Sequence, residues 1–293
     1  MFISLGTVKF GNLNYGYSSK NYKEIDYINF LLNVYNIGIK TLDTSPRYGI
    51  SEKIIGEYHN RYIKKFDVST KVDNLNPNDK NSKFKIENSI ENSLKNLSLE
   101  SLDICYLHQN DIKIISDKYI IDSLIDLKNK KIIKNIGVSI YSPEELDFSI
   151  NSGCYDYIQF PLNIFDSSLY FKFIHSCNKP VKFIARSLFL QGILSKYPNI
   201  GKHKYSNDIS IYMKNLIEIS NKINLSPISI NLSYLSSLKN IDRFIIGSLS
   251  INNLKKNIDF TKIKLPDYII KELDIISNKK KEWSNPRNWL QNI

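Results

Sequence analysis

The chain of 293 residues reads as a closed (β/α)8 TIM barrel, an α/β fold, and three observations carry that reading. Eight short runs rich in Val, Ile, Phe or Tyr alternate with longer, more polar segments of helical period. Most of the runs are almost continuously apolar, as strands buried on both faces of a parallel sheet are. No Gly/Ser- or Pro-rich linker divides the chain, so residues 1–293 are expected to form a single domain, a length that barrels reach as one unit. An open doubly wound sheet is the competitor. Such a sheet often carries GxGxxG after its first strand, and LGTVKFG at 5–11 has a different spacing.

The expected strands are 2–8, 38–43, 66–72, 102–108, 133–139, 155–161, 181–187 and 242–248. The first helix, 23–38, places Ile25, Ile28, Leu32 and Tyr35 on one face and ends at a glycine. The next, 85–97, does the same with Ile86, Ile90, Leu94 and Leu97. A helix over 116–131 follows. Residues 142–153 start with Ser142 as N-cap, Pro143 at the first helical position and Glu145 where a capping box needs it. The Ser-Pro start recurs at 226–238.

With 42% hydrophobic and 24% charged residues, the chain has enough apolar surface for a large core. Three cysteines, Cys105, Cys154 and Cys177, lie far apart without metal-ligand spacing. They fit a reduced, cytoplasmic protein without a disulfide framework or a metal. The N-terminus lacks the pattern of a signal peptide, and no run is long enough to span a membrane. The net charge is +11, from 40 Lys+Arg against 29 Asp+Glu. A residue usage crowded with Lys, Asn and Ile accounts for that charge without a partner. No basic stripe interleaved with aromatics points to nucleic acid, and 279–283 reads as a solvated helix end.

Barrel active sites sit at the C-terminal ends of the strands. There the sequence puts Asp43 and Tyr48 after strand 2, Lys71 on strand 3, His108 after strand 4, Ser139 after strand 5, Gln159 on strand 6, Arg186-Ser187 after strand 7 and Gly247-Ser248 after strand 8. Singly, each is an ordinary cap or turn residue. Lys71 stands out because its neighbours in STKV look buried, and a buried lysine needs a partner. Asp43 on the adjacent strand can supply it. The set suits carbonyl reduction. A tyrosine hydroxyl, with a free pKa of about 10, needs an ammonium nearby to lower it and so act as an acid near neutrality. A carboxylate holds that ammonium, and a histidine can orient the carbonyl oxygen.

In order along the chain, LGTVKFG, LDTSPRYGISEKIIGEY, VSTKV, DICYLHQN, GVSIYSPEEL, YIQFPLNIFD, ARSLFLQGIL and IIGSLSINNLKKNI resemble the landmarks of the aldo-keto reductases. The wording ARSLFLQGIL is similar to a bacterial branch associated with sugar and surface-polysaccharide biosynthesis. The resemblance implies a nicotinamide cofactor, NADP(H) or NAD(H), laid across the barrel mouth. It implies a catalytic tetrad of Asp43, Tyr48, Lys71 and His108, with Tyr48 as proton donor. It assigns Ser139 and Gln159 to the nicotinamide carboxamide and Thr7 to the cofactor. Arg186 falls where many members stack an aromatic on the nicotinamide, and Ser187, Leu188 and Gly192 fall on the loop over the pyrophosphate. Gly247, Ser248, Asn253 and Asn257 match the adenosine end. Ser51 is expected to cap the helix after Tyr48, with Glu52 in its first turn, and Arg47 and Pro46 to shape the loop.

The chain departs from the family at four places. Ile140 stands where many members have asparagine. Asn253 and Leu249 stand at positions that bear on a 2′-phosphate, which leaves the choice of NADP or NAD open. Arg186 replaces an aromatic, and its guanidinium can stack on the nicotinamide or meet an anionic substrate. No N-terminal hairpin precedes strand 1, which leaves Met1 and Phe2, or the C-terminal segment, to close the barrel base. Tyr15, Tyr17, the loop 109–113 and Phe165 are candidates to line the mouth for a small carbonyl substrate, a sugar in particular. The tail 283–293 has two tryptophans for stacking on sugar or for docking the tail, and docking is favoured. The expected protein is a monomer or small homo-oligomer with no nucleic-acid or membrane partner. Transient oxidation in a sugar epimerase or dehydratase, or a cofactor-binding regulatory subunit, are the alternatives.

Overall fold

A computed structural model describes residues 2–13, 15, 25–199, 204–278, 281–285 and 288–289. Eight parallel strands pair in sequence order and close, β1 against β8. The strands are β1 (Phe2–Gly6), β2 (Thr41–Asp43), β3 (Asp67–Val72), β4 (Leu102–Leu107), β5 (Ile133–Ser139), β6 (Tyr157–Pro161), β7 (Lys182–Arg186) and β8 (Ile241–Ile246). After β1 come α1 (Val8–Gly11) and α2 (Tyr27–Asn36), and after β2 comes α3 (Ser51–Arg61). Then α4 (Ser82–Leu97), α5 (Ile112–Ile115), α6 (Lys118–Asn129) and α7 (Pro143–Asn151) follow β3, β4, β4 and β5. The last half adds α8 (Ile193–Lys196), α9 (Ser206–Lys222), α10 (Pro227–Ser237), α11 (Ile251–Phe260) and α12 (Asp267–Ser277).

All eight expected strands form, most of them shorter than the apolar runs. In 38–43 only three residues pair, because Gly38, at φ +100, is still closing α2. The capping box of α7 is complete: Ser142 accepts from the Glu145 backbone, and the Glu145 side chain accepts from the Ser142 backbone. Residues 23 and 24 of the first expected helix lie outside the described residues.

The outward faces of the strands pack with the helices into one large core that includes Leu42, Val68, Val138, Ile158 and Phe244. The barrel interior is a separate, smaller cluster of Ile104, Tyr106, Tyr157 and Ile184, with Ile245 against it. Gly137 makes room for it. A Cβ there would stand 2.4 Å from the Tyr106 ring. On the β1–β2 side the interior is instead hydroxylic, with Ser4 Oγ 2.6 Å from Thr41 Oγ1.

The base is closed differently from expectation. Phe2 is 69% exposed and plugs nothing, and Met1 lies outside the described residues. Arg243 does the work from the barrel wall. It bonds Asp103 Oδ2 at 2.9 Å, Asp242 at 3.1 Å and the Tyr157 hydroxyl at 3.3 Å. The described part of the C-terminal segment docks elsewhere. Trp283 is buried against Phe165 and Tyr212, with ring centroids 5.2 and 5.4 Å apart. The Trp289 indole N–H donates to Trp283 O at 2.8 Å. Residues 279–280, 286–287 and 290–293 lie outside the described residues.

Candidate active site

Lys71 is the centre of the mouth. It is 2% exposed, and a lysine so deep must spend all three N–H groups. One goes to Asp43 Oδ1 at 2.7 Å and one to Thr44 O at 2.7 Å. The third faces Tyr48, whose ring centroid is 5.1 Å from Nζ. Parallel pairing of β2 with β3 puts Asp43 beside Ser69, within reach of the lysine two residues on. The second Asp43 oxygen accepts from Gln159 Nε2 at 2.8 Å across the barrel. His108 follows β4, its backbone N–H bonded to Val72 O at 2.9 Å.

Charge is arranged accordingly. Burial opposes the ammonium of Lys71, but Asp43 and then Tyr48 outweigh it, and its pKa ends above the usual lysine value. Lys71 is therefore a cation at neutral pH. Tyr48 departs from the sequence expectation. Burial raises its pKa above the ordinary value, and Lys71 pulls it back without reversing the shift. The expected net lowering does not occur, because desolvation of the half-buried tyrosine outweighs the pull of an ammonium already shared with Asp43. At rest Tyr48 holds its proton.

Three hydroxyls tie the loops beneath this cluster together. Ser51 Oγ donates to Thr7 Oγ1 at 2.8 Å and pairs with Thr44 Oγ1 at 3.0 Å, and Thr7 Oγ1 donates to Asp43 O at 3.0 Å. All three residues are fully buried. Ser51 is thus not a helix cap: Ile50 holds that position without a side-chain bond, and the serine is turned inward. Glu52 is in the first turn as expected, but it is buried and accepts from Thr70 Oγ1 at 2.7 Å. Thr7, read as a cofactor residue, has its hydroxyl engaged in this clamp, donating to Asp43 O and accepting from Ser51 Oγ. Gly11 completes the support. A Cβ there would lie 1.9 Å from Tyr48 O, so only glycine lets the two loops touch.

Two residues around His108 were not legible. Asp73 Oδ2 lies 3.5 Å from His108 Nδ1 and is also gripped by Arg47 Nε. Arg47 further donates to Asn74 Oδ1 at 3.1 Å. Gln109 clamps the Leu75 backbone, accepting from its N–H at 2.6 Å and donating to its C=O at 3.0 Å. An aspartate two residues past the strand-3 lysine was the available signal, masked because loop aspartates are common turn formers.

The cofactor candidates form an arc around the mouth. Ser139 and Gln159 are both buried, with Ser139 Oγ 3.5 Å from Gln159 Oε1, beyond a strong hydrogen bond. Donor and acceptor are thus in place for an amide that would complete both. Arg186 lies over the Tyr141 ring, Cζ 3.9 Å from the centroid, and donates to Ile140 O at 3.0 Å. After it Ser187, Leu190, Gln191 and Gly192 all have positive φ, the kind of held backbone found at ligand sites. Leu188 is buried, and its carbonyl accepts from Asn231 Nδ2 at 3.2 Å. The same asparagine accepts from Ile164 N, joining the loops after β6 and β7. Ser248 bonds Ser250, which caps α11 by accepting from Asn253 N at 3.3 Å. The first turn of α11 holds no acidic residue, Asn253 is exposed, and Asn257 is nearly buried beyond it. Gly247 opens that loop, with ordinary space around it. These features suit an extended dinucleotide with its phosphates near α11.

On the substrate side, Phe165 is fully buried under Trp283 and does not line the mouth. Tyr15 is 37% exposed. Burial first and then Tyr48 push its hydroxyl up to about 12. Tyr17 lies outside the described residues.

A family model described as the Aldo/keto reductase family matches residues 2–278. D-arabinose 1-dehydrogenase of Saccharomyces cerevisiae is 34% identical over 113 residues, covering 36% of this chain and 33% of that protein. Aldo-keto reductase YhdN of Bacillus subtilis is 28% identical over 175 residues, 57% of this chain and 51% of that protein. The chain thus matches about a third and a half of the lengths of these two relatives. The holo form of aldo-keto reductase AKR11C1 from Bacillus halodurans shares the fold, with a TM-score of 0.76 over 96% of this chain and 93% of that one, at 20% identity.

Proposed function

The chain belongs to the aldo/keto reductase family, and from that premise we propose that it transfers a hydride between NADP(H) or NAD(H) and the carbonyl or alcohol of a small molecule. The observation that carries the reading is the buried Lys71, bonded to Asp43 at 2.7 Å with the Tyr48 ring centroid 5.1 Å from its Nζ. A structural ion pair has no need of a phenol held against its ammonium.

The cofactor, when bound, supplies the hydride to the carbonyl carbon. Tyr48 gives its proton to the carbonyl oxygen. The phenolate left behind is stabilised by Lys71, whose charge Asp43 holds in place. His108 meets the same oxygen and orients it. Gln159 keeps its N–H on Asp43, which leaves Oε1, with Ser139 Oγ, for the carboxamide. The loop Ser187–Gly192 covers the pyrophosphate, and Gly247, Ser248, Asn253 and Asn257 receive the adenosine end. Thr7 acts through the loop it ties down.

A sugar is the favoured substrate. The partial likeness to an arabinose dehydrogenase supports it, as does a mouth rimmed by Tyr15, Tyr141 and Arg186. We place the enzyme in the cytoplasm as a monomer or small homo-oligomer. Among the described residues no helix is long and apolar enough to cross a membrane.

The test starts with fluorescence titration by NADPH and NADH, then follows net cofactor consumption with a panel of aldoses and simple aldehydes. Tyr48→Phe is expected to lose turnover by about a hundredfold or more while cofactor affinity stays near wild type. Retained turnover would remove Tyr48 as proton donor. Binding without net consumption would favour transient oxidation over reduction.

A further inference from the structure

His108 has a carboxylate behind it. Asp73 Oδ2 stands 3.5 Å from Nδ1, and Arg47 holds that same oxygen from the other side. The Asp73 side chain is only 15% exposed and that of His108 26%. A carboxylate only accepts, so the contact is favourable when the proton sits on Nδ1. At this distance the pair is an electrostatic contact and not yet a hydrogen bond, and catalytic contacts are commonly long before a ligand arrives and tighten afterwards.

The consequence concerns the other nitrogen. A neutral imidazole with its proton on Nδ1 offers a lone pair at Nε2 and no donor. We propose that Asp73 is a positioning residue that keeps the His108 proton on Nδ1, so that His108 donates to a carbonyl oxygen only as the imidazolium. The proposal rests on the reading of His108 as the group that meets the substrate oxygen. Arg47 fixes Asp73 and offsets part of its charge. Carbonyl reduction then falls as pH rises through the His108 titration.

Other charged or titratable groups border the site from each neighbouring element. Asp43 on β2 and Lys71 on β3 are paired with one another. Tyr48 lies on the loop after β2. Asp111, on the loop of His108 itself, caps α5, and Glu145 of α7 is taken up by Asn110 and the α7 capping box. Asp73 is the carboxylate that the structure places against Nδ1, so Asp73 is the residue to change.

The chain has four histidines, which makes a direct readout practical. In protein carrying 15N-histidine, long-range 1H–15N spectra report which ring nitrogen bears the proton, with His108→Gln identifying the His108 signals. The expected wild-type neutral form is Nδ1–H. Asp73→Leu is expected to move the proton to Nε2 and to flatten the pH dependence of reduction. Asp73→Asn can still accept through its amide oxygen, so it keeps the tautomer but lowers the His108 titration by about one pH unit. NADPH affinity, measured alongside, should move less than twofold in either variant. An Nε2–H tautomer in the wild type, or a titration unmoved in Asp73→Asn, would overturn the proposal. The spectra need no substrate, so a protein that reduces no carbonyl would refute the activity and still leave Asp73 to be judged by the tautomer.

Discussion

At the base of the barrel, Arg243 divides its guanidinium among Asp103, Asp242 and the Tyr157 hydroxyl. At the mouth, Lys71 divides its ammonium between Asp43 and a backbone carbonyl, with the Tyr48 ring centroid 5.1 Å away. Both cations thus hold an acid and a phenol. They differ in chemistry and in depth. Arg243 is a fixed, always-charged fork with its side chain 13% exposed. Lys71 is a point charge almost removed from water, whose protonation rests on Asp43. The first arrangement is insensitive to what its tyrosine does. In the second, a change of charge on the tyrosine is felt at once by the lysine. The same three residue classes therefore seal one end and leave the other responsive.

Breaking each pair should expose the difference. Lys71→Met leaves Asp43 buried with a single amide partner, and removing one member of a buried pair costs about 3–5 kcal/mol. It should abolish turnover and lower Tm together, read by chemical denaturation and steady-state kinetics. Arg243→Met should cost about 2–3 kcal/mol, with Tm lower by several degrees and kcat within twofold of wild type. A large loss of kcat in that variant would mean that the two ends are coupled through the interior and that the comparison fails.

The histidines sharpen the contrast further. His59, at the base-side end of α3, is buried with both nitrogens committed. Nδ1 donates to Leu97 O at 2.8 Å, and Nε2 accepts from Phe66 N at 3.1 Å. Burial first, against the help of Leu97, lowers its pKa below the ordinary 6.5. Its folded-state pKa is depressed, so the stability it contributes is complete above about pH 6.5 and is lost as pH falls toward the lower folded value. Thermal unfolding between about pH 7.5 and about pH 5 should show a Tm decline that His59→Gln makes shallower.

Much of this could be read before any coordinates, for physical reasons. Strands buried on both faces announce themselves as runs such as VKFIARS, and barrel order then assigns Asp43, Lys71 and His108 to the same rim. What stayed hidden depended on partners distant in sequence. Ser51 has the local signature of an N-cap, yet hydroxyls from residues 7 and 44 claim it. Phe165 reads as a loop aromatic and is buried by a tryptophan more than a hundred residues on. Arg243 in DRFII looks like a strand's polar edge, and only closure of β8 on β1 brings Asp103 to it. The pKa of Tyr48 shifted opposite to expectation because its desolvation in the fold, unlike its neighbours, is not written in the motif.

The contact between Gly11 and the backbone of Tyr48 bears on how such a protein can diversify. The height of the proton donor is set by main chain resting on main chain, beneath a knot of three small hydroxyls. Residues such as Tyr15 or Tyr141 contribute nothing to that footing. Drift or deliberate redesign can therefore rework the rim, and with it the range of molecules admitted, while the acid stays at its post. Gly11 marks the limit of that freedom, since any other residue there would displace the donor itself.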